Sequence, residues 1–369
     1  MRAAYLDWNA TAPVRPEAVA ALTAALTDHG NPSSVHRFGR DSRRIVNEAR
    51  DAVAALVNAR AEEIVFTSGG TEANVLALEG FPGRRILISA IEHDSVRDAV
   101  SDAAAIPVLG DGRADPAALE TMLAADPRPA LVSVMFANNE TGVIQDVAEI
   151  ARIAHRHNAL YHCDAIQAAG KIPVDFAALD IDLMTLSAHK LGGPMGSGAL
   201  VVRSGLVLRP LLRGGGQEQR LRGGTENLPG IAGFGAATRA AKNGLAAYAE
   251  IATLRDEAQR RLCALAPDAV VFGSDAPRLP NTLCIAMPGV ASATQVIALD
   301  LAGVMVSAGA ACSSGKVTRS HVLDAMGVAP AVAECAIRIS LGWTTCKEDI
   351  DQLVDAWGAL YARTRASAA

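Results

Sequence analysis

The chain has 369 residues, half of them apolar and 20% charged, with a formal net charge of −5. Such a length buries a large core and suits two domains, and such a charge leaves no basic footprint for nucleic acid. No run of about 18 apolar residues is present to span a membrane, and residues 1–7 lack the apolar core of a signal peptide, so a cytoplasmic protein is expected. The six cysteines, at 163, 263, 284, 312, 335 and 346, form no CxxC pair. That argues against a structural zinc site or a disulfide framework, and no metal is expected.

Residues 5–16 form a proline-punctuated lead-in, and apolar spacing predicts a helix over 17–27. Gly30, Asn31, Pro32, Ser33 and Ser34 break the chain as a loop. Ile45, Val46, Ala49, Val53 and Leu56 share one face and predict a long helix over 39–57. A short buried strand is expected at 63–67, then Ser-Gly-Gly-Thr at 68–71, then a helical continuation from Val75. A strand, a glycine turn and a helix start together present unpaired backbone N–H groups and the positive end of a helix dipole to an anion. Phosphate is the natural ligand there, although an ordinary turn between strand and helix reads the same way in isolation. The stretch is neither a P-loop nor a GxGxxG fingerprint.

Further strands are expected at 85–89, 108–109, 130–136, 160–164, 181–186 and 199–202, with helices at 116–123 and 147–155. The alternation predicts a mostly parallel sheet with helices on both faces. Ligands bind beyond the carboxyl ends of such strands, and polar residues collect there at 68–71, 92–95, 138–142, 164–167, 187–190 and the glycine-rich 213–227. A single helix over 231–265 reads as a bridge to a second domain. From Ala269 the pattern changes to short strands at 270–272, 282–286, 304–306 and 336–341, separated by helices at 293–301, 319–326 and 347–362. A smaller α+β domain is expected, giving a large domain over 15–250 and a small one from 1–14 plus 251–369. At the centre of the latter, the tiny residues around Cys312 are expected to expose its thiol, unlike a packed structural cysteine.

Lysine is scarce, at 171, 190, 242, 316 and 347. Lys242 and Lys347 sit in polar helical stretches, and Lys171 opens a Lys-Ile-Pro-Val segment. Lys190 alone ends a buried run and enters a glycine-rich loop, with Ser187 and His189 beside it. Desolvation disfavours the ammonium form of such a lysine, and its neutral amine is the nucleophile of Schiff-base chemistry. Together with the phosphate turn and with Asp164 at the end of the preceding strand, it fits pyridoxal 5′-phosphate. The lysine holds the aldehyde and the acid pairs with the pyridinium nitrogen.

With these motifs on the page, the chain resembles the cysteine desulfurases of the class V aminotransferase group, from Tyr5-Leu6-Asp7 to the Arg-Ile-Ser-Leu-Gly segment at 338–342. The resemblance implies an α/β fold of the pyridoxal-phosphate-dependent transferases, aspartate aminotransferase-like (fold type I). It implies that Lys190, in Ser-x-His-Lys, carries the cofactor, and that Gly70, Thr71, Ser187 and His189 hold its phosphate. His93 stacks on the ring and takes part in proton transfer, Asn139 lies near the cofactor hydroxyl and the substrate, and Asp164 and Gln167 contact the ring nitrogen and the phenolic oxygen. Thr225 reaches the phosphate of the other subunit's cofactor, which implies a homodimer with shared active sites. Arg338, assisted by Asn31, binds the substrate carboxylate, a task suited to a guanidinium fork. Cys312 is the nucleophile that takes sulfur from L-cysteine as a persulfide, leaving L-alanine. The resemblance further implies that the sulfur passes to an acceptor such as an iron–sulfur scaffold, for iron–sulfur cluster assembly or thiolation. Selenocysteine lyase, or another class V reaction on the same scaffold, is the alternative. Ala73-Asn74 stands where the family commonly has two asparagines, a mild departure.

Overall fold

The computed structural model describes residues 3–27, 30–309 and 319–368. Seven strands make the large sheet, in the order Ile64–Thr67, Gly198–Val202, Leu183–Ser187, Leu160–Asp164, Ala130–Ser133, Arg85–Ser89, Ala104–Ile106. The last five run parallel to one another. Gly198–Val202 is antiparallel to both its neighbours. The mostly parallel sheet read from the chain is therefore what forms.

These strands are short apolar runs because both of their faces are covered. Ile64 and Phe66 point into one apolar cluster and Val65 into the other; Leu87 lies in the first, Ile86 and Ile88 in the second. This is the two-residue alternation of a pleated strand. Each fully buried side chain of this kind contributes about 1.5–3 kcal/mol. Helices Pro16–Leu26, Arg37–Leu56 and Leu228–Asn243 pack on one face. Gly70–Glu79 covers the other.

A second core gathers Ala4 and Leu6 with residues from Tyr248 to Leu360. It lies against a four-stranded antiparallel sheet in the order Ser307–Ala308, Ala336–Ser340, Thr282–Ala286, Val270–Phe272. Ala4–Tyr5 pairs in parallel with Val304–Met305. The N-terminal segment then crosses back: Ala12 N–H donates to the His189 carbonyl at 2.9 Å and Arg15 N–H to that of Gly192 at 2.8 Å. Residues 7–10 thus form the seam between the two sheets.

Three expectations are corrected. The helix over 231–265 is three helices, Leu228–Asn243, Leu245–Ala249 and Ile251–Leu265. Gly244 leaves helical geometry between the first two, and glycine costs about 1 kcal/mol more than alanine inside a helix. The strand expected at 108–109 is Ala104–Ile106, and Val108 makes only an isolated bridge to Ala114. The strand starting at Ala130 ends at Ser133 rather than Phe136. Among the described residues, no helix is long and apolar enough to cross a membrane.

Candidate active site

The carboxyl ends of the parallel strands and the 7–10 seam enclose a cavity of about 390 Å³. Gly70, Thr71, His93, Asn139, Asp164, Gln167, Ser187, His189, Lys190 and Arg338 all line it. Asp7, Asn9, Ser95 and Ser307 line it as well; the sequence reading did not single these out.

The Gly70–Glu79 helix starts at the cavity wall with no side-chain cap on its free N–H groups. A Cβ on Gly70 would lie 2.3 Å from Ile166 Cδ1 and 3.5 Å from Ser187 Cβ, so a side chain there would meet the cavity wall. Alongside it, Leu183–Ser187 ends in the single helical turn Ala188–Lys190. Gly192 follows with φ +90°, and a Cβ there would lie 2.6 Å from both Arg15 and Trp343. This turn needs glycine, and it swings Lys190 back over the strand ends. The Lys190 amine donates to the carbonyls of Asn9 at 2.7 Å and Ala10 at 2.8 Å. His189 meets Thr11 Oγ1 through Nδ1 at 3.2 Å. Burial, and then the Lys190 charge, hold the His189 imidazole down to about 4, so it is neutral at pH 7.

Asp164 is 5% exposed. Its carboxylate accepts from Asn74 Nδ2 at 2.8 Å and from the Ile166 N–H at 2.9 Å. Burial raises its pKa, while those two hydrogen bonds, His93 and Lys190 pull it back down. A ring nitrogen that carries a proton is the kind of partner that keeps such a carboxyl ionised. His93 Nδ1 accepts from the Ser95 N–H at 3.1 Å and lies 2.9 Å from Ser95 Oγ. In the neutral ring this puts the proton on Nε2.

Arg338 occupies the middle of Ala336–Ser340 and is 3% exposed. One Nη donates to Asp7 Oδ1 at 2.6 Å and the other to the Asn139 carbonyl at 3.2 Å, while Nε is buried with no partner. An arginine with its charge in solvent is excluded.

Two expected residues lie elsewhere. Asn31 is exposed, its side chain accepting from the Ser33 N–H at 2.8 Å. Thr225 is exposed in a separate cleft with Ser68, Arg222 and Asn227. Cys312 falls outside the described residues. No cysteine among the described residues lines the cavity, and Cys163, Cys284 and Cys335 are buried fillers. The chain meets the cavity wall at Ser307, five residues before Cys312. Beyond that segment, Ser320 Oγ donates to the buried Glu140 at 2.5 Å.

Sequence reasoning also missed Lys171, which is 3% exposed and donates to Gln167 Oε1 at 2.6 Å and Asn9 Oδ1 at 2.7 Å. Its scarcity as a lysine was legible; its burial depends on Asn9, far away in the chain.

The residues fit pyridoxal 5′-phosphate: an uncapped helix start with Ser187 and His189 for the phosphate, a lysine amine, and a buried carboxyl opposite. The aminotransferase class-V family model matches residues 4–353. A cysteine desulfurase from Cereibacter sphaeroides is 44% identical over 382 residues, covering 99% of this chain and 97% of that protein. The structure of a NifS-like protein from Rickettsia africae superposes with a TM-score of 0.91 at 35% identity, covering 98% of this chain and all of that one (100%). A structure of SspA in complex with cysteine has a TM-score of 0.79 at 28% identity, covering 91% of this chain and 98% of that one. The chain belongs to the aminotransferase class-V family, among its cysteine desulfurases.

Proposed function

We propose that the protein is a pyridoxal 5′-phosphate-dependent cysteine desulfurase that moves the sulfur of L-cysteine onto Cys312 and releases L-alanine. The observation that carries this reading is one cavity holding Lys190, Asp164, the open helix start at Gly70 and the buried Arg338. When bound, the cofactor supplies an aldehyde for amines and an electron-poor ring that stabilises negative charge at the substrate α-carbon.

The chain's own residues do the rest. Backbone N–H groups at Gly70 and Thr71, with Ser187 and His189, hold the phosphate. Asp164, itself held by Asn74 and the Ile166 N–H, keeps the ring nitrogen protonated. Gln167 would offer its amide to the phenolic oxygen, and Asn139 lines the same cavity. Lys190 would hold the cofactor through its aldehyde, and its amine, when free, would be the base at the substrate α-carbon. Arg338 takes the substrate carboxylate in exchange for Asp7. His93 offers a proton from Nε2 as the C–S bond breaks. The step balances: the Cys312 thiolate attacks the substrate sulfur and forms the S–S bond as the C–S bond breaks, the C–S electron pair goes to the β-carbon, and the proton that carbon gains matches the one the Cys312 thiol has lost.

We propose a homodimer in which Thr225, exposed in a cleft of its own, serves the partner's phosphate. The acceptor we propose is a cytoplasmic iron–sulfur scaffold protein. The assay is incubation with L-cysteine, the cofactor and a thiol reductant, with alanine and sulfide measured together. Equimolar products support the reading, and Cys312→Ala is expected to keep the bound cofactor's colour while losing sulfide release. Pyruvate in place of alanine, or full activity in Cys312→Ala, contradicts it.

A further inference from the structure

Lys171 sits behind the cavity rather than in it, and both of its hydrogen-bond partners, Gln167 Oε1 and Asn9 Oδ1, are neutral oxygens. Burying an ammonium against neutral groups is costly. Burial, then repulsion from Lys190 and Arg338, pushes its pKa well below the ordinary lysine value. A group held at such cost calls for a use.

Gln167 connects it to the cavity wall. Its Oε1 accepts from Lys171 at 2.6 Å and its Nε2 donates to the Asn9 carbonyl at 3.0 Å. An amide nitrogen carries two hydrogens, so the one not given to Asn9 is the hydrogen that Gln167 has for the cavity. Rotating the amide by half a turn would set its oxygen against the Asn9 carbonyl, acceptor against acceptor, and would give up the hydrogen bond that Oε1 accepts from Lys171. The same Asn9 carbonyl receives the Lys190 amine at 2.7 Å, and Asn9 Oδ1 also accepts from Asn281 Nδ2 at 3.0 Å. Asn9 thereby fixes both lysines and the glutamine in one network.

We infer that Lys171 is a positioning residue: it locks the Gln167 amide with its donor side toward the cavity, and through that donor it sets the protonation of the lysine-bound cofactor. The inference rests on the pyridoxal-phosphate reading above, in which Gln167 meets the phenolic oxygen. A donor there stabilises the ionised oxygen. Losing its orientation therefore raises the pH at which the bound cofactor changes its visible absorbance.

The titratable groups that share the cavity with Lys190 are Asp7, His93, Asp164, His189 and Arg338. Arg255 and Arg278 line the cleft on the far side of Lys171. The variants used to test the inference alter none of these.

The test titrates the visible absorbance of the holoenzyme with pH in the wild type, Lys171→Met, Gln167→Met and the double variant. Methionine matches the length of lysine without its donors. Lys171→Met is expected to raise the midpoint by about 0.5–1 pH unit, the size of one hydrogen bond. The double variant is expected to shift no further than Gln167→Met alone, because residues acting through one contact are not additive. If Lys171→Met fails to fold, Lys171→Gln, too short to reach both oxygens, carries the same expectation. A lowered Tm with an unmoved midpoint would overturn the inference and leave the cofactor reading intact. A wild-type holoenzyme with no pH-dependent band, or a band that survives Lys190→Ala, would overturn both.

Discussion

The two ends of the cavity are built on opposite principles. At the Gly70 end the chain leaves donors open: the helix start has no side-chain cap, and the imidazole beside it is held neutral by burial. At the Arg338 end the charge is already met, by Asp7 at 2.6 Å and by the Asn139 carbonyl at 3.2 Å. In the proposed function, with phosphate at the first end and the substrate carboxylate at the second, the difference matches how long each ligand stays. A cofactor phosphate that remains through every turnover suits a permanently open cradle. A substrate carboxylate that comes and goes suits a guanidinium that exchanges one carboxylate for another, so that the buried charge is never left alone.

The largest effect that tests this contrast belongs to neither end but to the amine between them. Lys190→Ala is expected to cut alanine formation by more than ~10³-fold, since it removes both the anchor and the base. Absorbance and product assays read the two losses separately, and substantial residual turnover would shift the base role to another residue. At the exchanging end, Arg338→Met is expected to raise KM for L-cysteine by about 10–100-fold, the worth of a hydrogen bond to a charged group. An unchanged KM would remove Arg338 from the substrate.

Asp7→Asn sharpens the contrast further. Removing the resident carboxylate is expected to lower KM by roughly 2–5-fold, the scale of a partly exposed ion pair. Tm is expected to fall at the same time, because a buried guanidinium has lost its counter-charge. A raised KM would instead make Asp7 a partner in binding rather than a competitor.

The smallest expected effect concerns stability. Burial pushes Glu92 up to about 8 and Glu140 up to about 7, against roughly 4.3 in an unfolded chain. Between those values the folded chain keeps protons that the unfolded chain has released, so these two groups lower stability as pH rises from about 5 to 8. Glu92→Gln, which still offers an oxygen to Ser89 and the Met135 N–H, is expected to narrow the Tm difference between those pH values. A difference as large as in the wild type would show that Glu92 does not carry it.

Much of the cradle was legible because parallel strands put polar residues at predictable places. Gly70, Asp164 and Lys190 each follow an apolar run, and the turn of chain that exposes them is local. The pairing partners were not legible. Asp7 reads as a residue of a proline-rich lead-in, and it reaches Arg338 through the pairing of Ala4–Tyr5 with Val304–Met305 and its own parallel bridge to Ser340. Lys171 reads as the start of an ordinary Lys-Ile-Pro-Val segment, yet it is 3% exposed because Asn9 folds back over it. The break at Gly244 was visible as a glycine in a helical pattern, but the apolar spacing on both sides hid it.

The central claim is that sulfur leaves the substrate onto Cys312. The most direct measurement is one turnover of holoenzyme with L-cysteine and no reductant, followed by mass analysis of the peptide carrying residue 312 and quantification of alanine. The account predicts one added sulfur atom on Cys312 for each alanine formed. Alanine without that added sulfur, or sulfur carried instead on Cys163, Cys284 or another cysteine, would contradict it.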